Sequence, residues 1–132
     1  MIFVDSTIWD AAQNERDKNH ALARSILRDI GRGGHGKPVV TDYIIDEVLT
    51  WVNEKVGHST AVKMSRHFFG DSGIEVVKVD WAVIHRARDL FEGKDFLSFT
   101  DATTAVVMEA RNVKKIATFD SDFRKIGFEV SE

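Results

Sequence analysis

Apolar residues fall into two kinds of run along this chain. IFV at 2 to 4, PVV at 38 to 40, IEVVKV at 74 to 79 and KIATF at 115 to 119 are short, unbroken and mostly β-branched, as buried strands are. GFEV at 127 to 130 reads as a short last strand. Between them the apolar positions recur at helical spacing. Leu22, Ile26 and Ile30 mark a helix near 19 to 30, and a second spans about 42 to 56, where Thr41 can cap it and Gly57 can end it. Ser59 can cap a third, with Ala61, Val62, Ser65, Phe68 and Phe69 toward its inner face and Gly70 as its stop. Asp80 can cap a fourth carrying Ile84, Ala87 and Phe91, and a fifth runs from about 99 to 111. Strands separated by helices predict an α/β layer with a mainly parallel sheet.

One stretch breaks the alternation. GRGGHGKP at 31 to 38 begins like a phosphate-binding loop, with Gly31, Gly36 and Lys37 in step, but Pro38 stands where Ser or Thr should hold magnesium. Its context is also reversed, because it leads from helix to strand. It reads as a helix stop followed by a turn.

Composition narrows the class. At 132 residues the chain is a single domain over 1–132, able to bury roughly two-thirds of its unfolded surface. No run approaches the ~20 apolar residues of a membrane span. Ile2 to Val4 is too short for a signal-peptide core and lacks a basic leader, which predicts a cytoplasmic protein. Cysteine is absent, excluding disulfides and thiolate chemistry. Eighteen Lys and Arg against 21 Asp and Glu give a net charge of −3, which argues against coating nucleic acid by charge alone. Gathering four acids around cations would leave the remainder at +1, so a nucleic-acid substrate stays open.

The acids carry the chemistry. Asp5 directly follows the first strand and Asp120 follows KIATF, and a parallel sheet brings both to its carboxyl edge, where α/β proteins bind ligands. Each singly could be a helix cap or turn former. Glu47 has Tyr43, Ile44 and Trp51 as helical neighbours and borders the apolar stripe, whereas Asp46 is flanked by Asp42, Thr50 and Asn53 and is the solvated acid. A carboxylate so placed needs a partner, an arginine or a metal. Asp101 shares its side with Leu97, Ala105 and Met108, although Ser98 three residues earlier also resembles a capping box. If the four converge they cannot all stay ionised unpaired. A hard divalent cation, Mg²⁺ or Mn²⁺, resolves the conflict, and His20, His35, His58, His67 and His85 form no ligand or nucleophile motif.

VDST at 4 to 7, TDYIIDEVLT at 41 to 50, FLSFTDATTAVVMEA at 96 to 110 and IATFDSDFRKIGFEV at 116 to 130 together resemble the PIN-domain family, specifically the VapC toxins of VapBC toxin–antitoxin pairs. The resemblance spans nearly the whole chain. It implies a three-layer α/β/α PIN-domain fold with a five-stranded parallel sheet in the order 3-2-1-4-5. The family's acidic quartet falls on Asp5, Glu47, Asp101 and Asp120, with Ser6, Thr100 and Thr118 at polar positions beside the acids and Asp122 outside the quartet. The implied activity is Mg²⁺- or Mn²⁺-dependent hydrolysis of RNA phosphodiesters, leaving a 5′-phosphate and a 3′-hydroxyl. Asp5 and Asp101 would hold the principal metal, and Glu47 and Asp120 would complete the site directly or through water.

The resemblance also implies a VapB-type antitoxin as partner and a homodimer. Trp9, Trp51, Phe68 and Phe69 suit such surfaces where they are not core. Arg24, Arg28, the Arg32 to Lys37 loop, Lys114 and Lys115 are candidate grips for RNA, each otherwise an ordinary solvated face. The alternatives are a PIN-domain RNA-processing nuclease outside a toxin system, a phosphoacceptor domain, and a non-catalytic module whose acids hold a partner's arginine. The phosphoacceptor reading wants an acidic pair at the first strand, where Asp5 is instead followed by Ser6 and Thr7.

Overall fold

A computed structural model describes residues 1–131. Five strands, β1 (Ile2–Val4), β2 (Pro38–Thr41), β3 (Glu75–Val77), β4 (Lys115–Ala117) and β5 (Glu129–Ser131), form one sheet in the order β3-β2-β1-β4-β5. Every pairing is parallel, with Ile2 against Pro38 on one side and Lys115 on the other. This is the predicted order.

The helices are α1 (Ser6–Gln13), α2 (His20–Gly31), α3 (Asp42–Lys55), α4 (His58–Phe69), α5 (Trp81–Gly93), α6 (Phe99–Ala110) and α7 (Asp122–Lys125). Parallel crossovers are right-handed, so the connections stepping from β1 to β3 place α1 to α4 on one face of the sheet. The step from β3 to β4 reverses direction and carries α5 and α6 to the other. The main core includes Phe3, Ile8, Trp9, Ile44, Val48 and Phe68 and takes in Met108 of α6 and Phe123 of α7, while Ala87, Ala102 and Val106 form a smaller cluster between α5 and α6.

Most predicted caps are present. Thr41 Oγ1 accepts from the Ile44 amide and Asp80 Oδ1 from that of Val83. Ser59 is not a cap. Gly57, at φ +148°, takes the N-cap position of α4 two residues after α3 ends, in a conformation that side-chain-bearing residues avoid. Strands three and four are shorter than their apolar runs, because Val79 turns out of the ladder to donate to Asp42 Oδ1 and Thr118 turns to serve the acids. The sequence pattern also left out α1 and the single-turn α7. The 31 to 38 segment is the predicted turn between α2 and β2. Trp9 and Phe68, candidates for an exposed groove, are instead buried and meet edge to face at 5.0 Å, while Phe69 is 69% exposed. No helix among the described residues is long and apolar enough to cross a membrane.

Candidate active site

Strand order reverses between β1 and β4, and the crevice at such a switch point is where open α/β sheets bind ligands. Asp5 and Asp120 stand just past the carboxyl ends of these two strands. Two threonines tie the ends together. Thr118 Oγ1 donates to Asp5 Oδ2 at 2.7 Å and Thr7 Oγ1 donates to the same oxygen at 2.9 Å. Their lone pairs accept backbone N–H groups from beyond β4, Asp120 to Thr118 at 3.0 Å and Phe119 to Thr7 at 3.1 Å. Both hydroxyl protons are therefore committed to Asp5, and its other oxygen has no hydroxyl partner.

Glu47 joins from α3, where Ser6 Oγ donates to its Oε1 at 2.8 Å. The partner the sequence demanded is thus a hydroxyl, not an arginine. Glu47 is also exposed rather than interior, because α3 presents it at the mouth of the crevice. Asp101 lies in the first turn of α6, its amide capped by Ser98 Oγ at 3.0 Å, so the capping role and a place at the crevice coexist. Asp120 Oδ1 accepts the Asp122 amide at 2.9 Å, and Asp122 pairs with Lys125 at 2.7 Å, which gives Asp122 a turn-forming role outside the acid group.

The acids sense one another. Burial lifts the Asp5 carboxyl above its usual range despite the hydrogen bonds from Thr118 and Thr7, and the charge of Glu47 adds to the rise. Burial lifts Asp101 to about 6, with Asp5 and then Asp120 pushing further. These couplings link Asp5 to Glu47 and to Asp101, and Asp101 to Asp120. The quartet therefore forms one electrostatic neighbourhood.

A fifth acid belongs to it that the sequence reading missed. Burial, then the charges of Glu47, Asp5 and Asp17, push Asp10 up to about 8, and its Oδ1 is buried with no hydrogen-bond partner among the described residues. The signal was available: Asp10 follows Ser6 by one helical turn, inside the otherwise apolar IWDAA.

A divalent cation fits this donor set. Among the described residues no three Asp, Glu or His side chains form a ready-made metal cage. Mg²⁺ does not need one, since it keeps several waters and takes one or two carboxylates plus substrate oxygens. Burial first, and neighbouring charge second, raise these carboxyl groups, and a bound cation would favour their ionised forms.

The basic candidates for gripping RNA do not gather beside the acids. Lys37 precedes β2, and Lys114 and Lys115 open β4, so they lie at the amino edge of the sheet, opposite the acids. Arg24 and Arg28 border a separate cavity with Trp9 and Met64. The histidines serve packing and caps: His67 rests on Trp9, His85 on Trp81, and His20 on the Ala11 carbonyl.

A sequence model of the PIN domain matches residues 2–129. The chain belongs to the PIN-domain family. This PIN domain is 29% identical over 140 residues to the 23S rRNA-specific endonuclease VapC20 of Mycobacterium tuberculosis, covering 97% of this chain and 95% of that one. It is 28% identical over 123 residues to a VapC ribonuclease of Archaeoglobus fulgidus, covering 91% and 77%. The crystal structure of VapC20, described as a sarcin–ricin loop cleaving toxin, superposes with a TM-score of 0.86 at 25% identity over 97% and 96% of the chains. The VapBC2 complex of Rickettsia felis, bound to a promoter DNA fragment, shares the fold with a TM-score of 0.70 at 15% identity over 99% and 98%.

Proposed function

We propose that this PIN domain is a metal-dependent endoribonuclease, the toxin of a type II pair, whose site is Asp5, Glu47, Asp101 and Asp120 with Mg²⁺ or Mn²⁺. The observation that carries this reading is the gathering of carboxylates at the β1–β4 switch point, where burial raises both Asp5 and Asp101 and the charge of Asp5 raises Asp101 further. Similarity over most of the chain to a protein named as a 23S rRNA-specific endonuclease and to one named as a VapC ribonuclease supports RNA as the substrate.

Asp5 and Asp101 would hold the principal ion, with Glu47 and Asp120 reaching it directly or through water. When bound, the ion would lower the pKa of a water and offset charge on the phosphorus oxygens. The chain supplies the orientation. Thr7 and Thr118 fix the Asp5 carboxylate, Ser6 fixes Glu47, and Ser98 fixes the start of α6 beneath Asp101. A VapB-type antitoxin is the expected partner, in line with the toxin–antitoxin complexes that share the fold. A homodimer is part of the same proposal, and light scattering at working concentrations tests it.

The deciding experiment incubates purified protein with total RNA in Mg²⁺ or Mn²⁺ and in EDTA, beside Asp5→Asn. Discrete fragments that need metal and vanish in Asp5→Asn support the proposal. Equal background in every lane, with tight antitoxin binding retained, turns the acids into a partner-holding pocket.

A further inference from the structure

Glu47 sits midway between two aromatic residues on one face of α3, Tyr43 one turn before it and Trp51 one turn after. Both are half-buried. With Asp46, Glu54 and Thr100 they line a cavity of about 500 Å³, within the ~300–1,000 Å³ typical of small-molecule sites. Thr100 immediately precedes Asp101, so the cavity opens between two members of the acid group.

Trp51 packs in part against the main core, and phosphodiester hydrolysis by the acids gives neither aromatic a further task. The exposed carboxylates of Asp46 and Glu54 disfavour a phosphate as the group held inside the cavity. What suits aromatic faces beside carboxylate acceptors is a flat group carrying N–H donors. An unpaired nucleobase is such a group: single-stranded RNA is read by stacking splayed bases on aromatics and bonding their Watson–Crick edges.

Resting on the ribonuclease reading, we propose that the Tyr43–Trp51 cavity is a nucleobase subsite selecting guanine in unpaired RNA beside the cleaved bond. Guanine alone places two adjacent donors, N1–H and the 2-amino group, where one carboxylate can accept both. Adenine and cytosine set a ring acceptor beside their amino group, and the single N–H of uracil lies between two carbonyls. Each of these brings a lone pair against a carboxylate oxygen.

The test measures binding apart from turnover. Asp101→Asn protein is titrated, by fluorescence anisotropy, into labelled oligouridylates carrying one central guanosine, one adenosine or neither. Guanosine is expected to raise affinity by about fivefold or more, the lower end of what one bidentate side-chain contact adds in discrimination between bases. In the same background Trp51→Ala removes the gain and Trp51→Phe retains most of it. Asp46→Asn with Glu54→Gln, at exposed positions that do not threaten folding, equalises guanosine and adenosine. Trp81→Ala, on an exposed ring of α5, changes nothing.

Equal affinity for all three RNAs overturns the subsite, as does a guanosine preference that survives both the Trp51→Ala and the double acid variants. Should Trp51→Ala fail to fold, the double acid variant decides alone. The two readings fail separately. Metal-dependent cleavage indifferent to guanine removes the subsite and keeps the nuclease, and guanine-selective binding without cleavage does the reverse.

Discussion

Thr118 Oγ1 donates to Asp5 Oδ2 at 2.7 Å and joins residues 113 positions apart into one rigid corner at the β1–β4 crevice. Thr118 is fully buried, and its hydroxyl also holds the Asp120 amide. Thr118→Val keeps the shape but leaves both partners one bond short, so it is expected to cost about 1–3 kcal/mol of stability. Thr118→Ser keeps the hydroxyl and most of the stability. Urea unfolding compares them, and RNA cleavage should drop with Thr118→Val well before the fold is lost. Matching stability and activity in the two variants would show that the bridge is idle.

The Ser6–Glu47 bond lends itself to a milder test. Ser6 is buried and its hydroxyl is the hydrogen-bond partner of a carboxylate that is itself exposed. Ser6→Ala frees Glu47 to swing into solvent. Part of the ~1.5–3 kcal/mol of a charge-assisted bond is then lost from the transition state, so kcat should fall by about tenfold. Circular dichroism should be unchanged. Wild-type turnover in Ser6→Ala would remove Glu47 orientation from the mechanism.

The sheet was legible because each parallel strand is a short unbroken apolar run and each crossover is helical, a pattern with few alternative topologies. Asp5 and Asp120 were legible for the same reason: their place follows from strand direction. What escaped was set by three-dimensional contact. Lys37 and Lys115 looked usable as RNA grips until strand direction put them at the opposite edge. Trp9, open in the sequence to a surface or a core role, is claimed by the core through its contact with Phe68. Asp10 was hidden by its apolar neighbours, and α1 by the capping residues Asp5, Ser6 and Thr7, which read equally as site or as helix start. The exposure of Glu47 depends on how α3 tilts at the crevice, which helical spacing does not encode.

Gly36 offers a prediction independent of function. It adopts φ +81°, and a Cβ there would stand 2.9 Å from the Met1 nitrogen. Gly36→Ala thus combines left-handed strain with a backbone clash beside the first strand, and should destabilise by about 1–3 kcal/mol. Gly33→Ala, at φ +86° with open space around it, bears the strain alone and should cost less. Parallel denaturant titrations rank the two, and an equal or reversed ranking contradicts the close approach to Met1.

The acid group also fixes a pH dependence and a metal dependence that must move together. Asp101 and Asp10 have folded-state values raised from 3.8 to about 6 and about 8. Across that window the folded state holds more protons than the unfolded one, so unfolding free energy has a negative slope with pH. Metal-free protein should be most stable near about pH 4 and lose stability as pH rises to about 8, the reverse of a carboxylate stabilised by an ion pair. Asp10→Asn should flatten the upper part of the window, gaining on wild type as pH rises. Mg²⁺ binds only the ionised acids, so at a hundred times its Kd it should restore about 2.7 kcal/mol, a rise in Tm on the order of 5–10 °C at neutral pH. The rise should shrink toward pH 4 and be absent from Asp5→Asn. Thermal melts across pH, with and without Mg²⁺, measure both effects. A metal response that persists in Asp5→Asn would place the ion away from these carboxylates, whatever the pH profile shows.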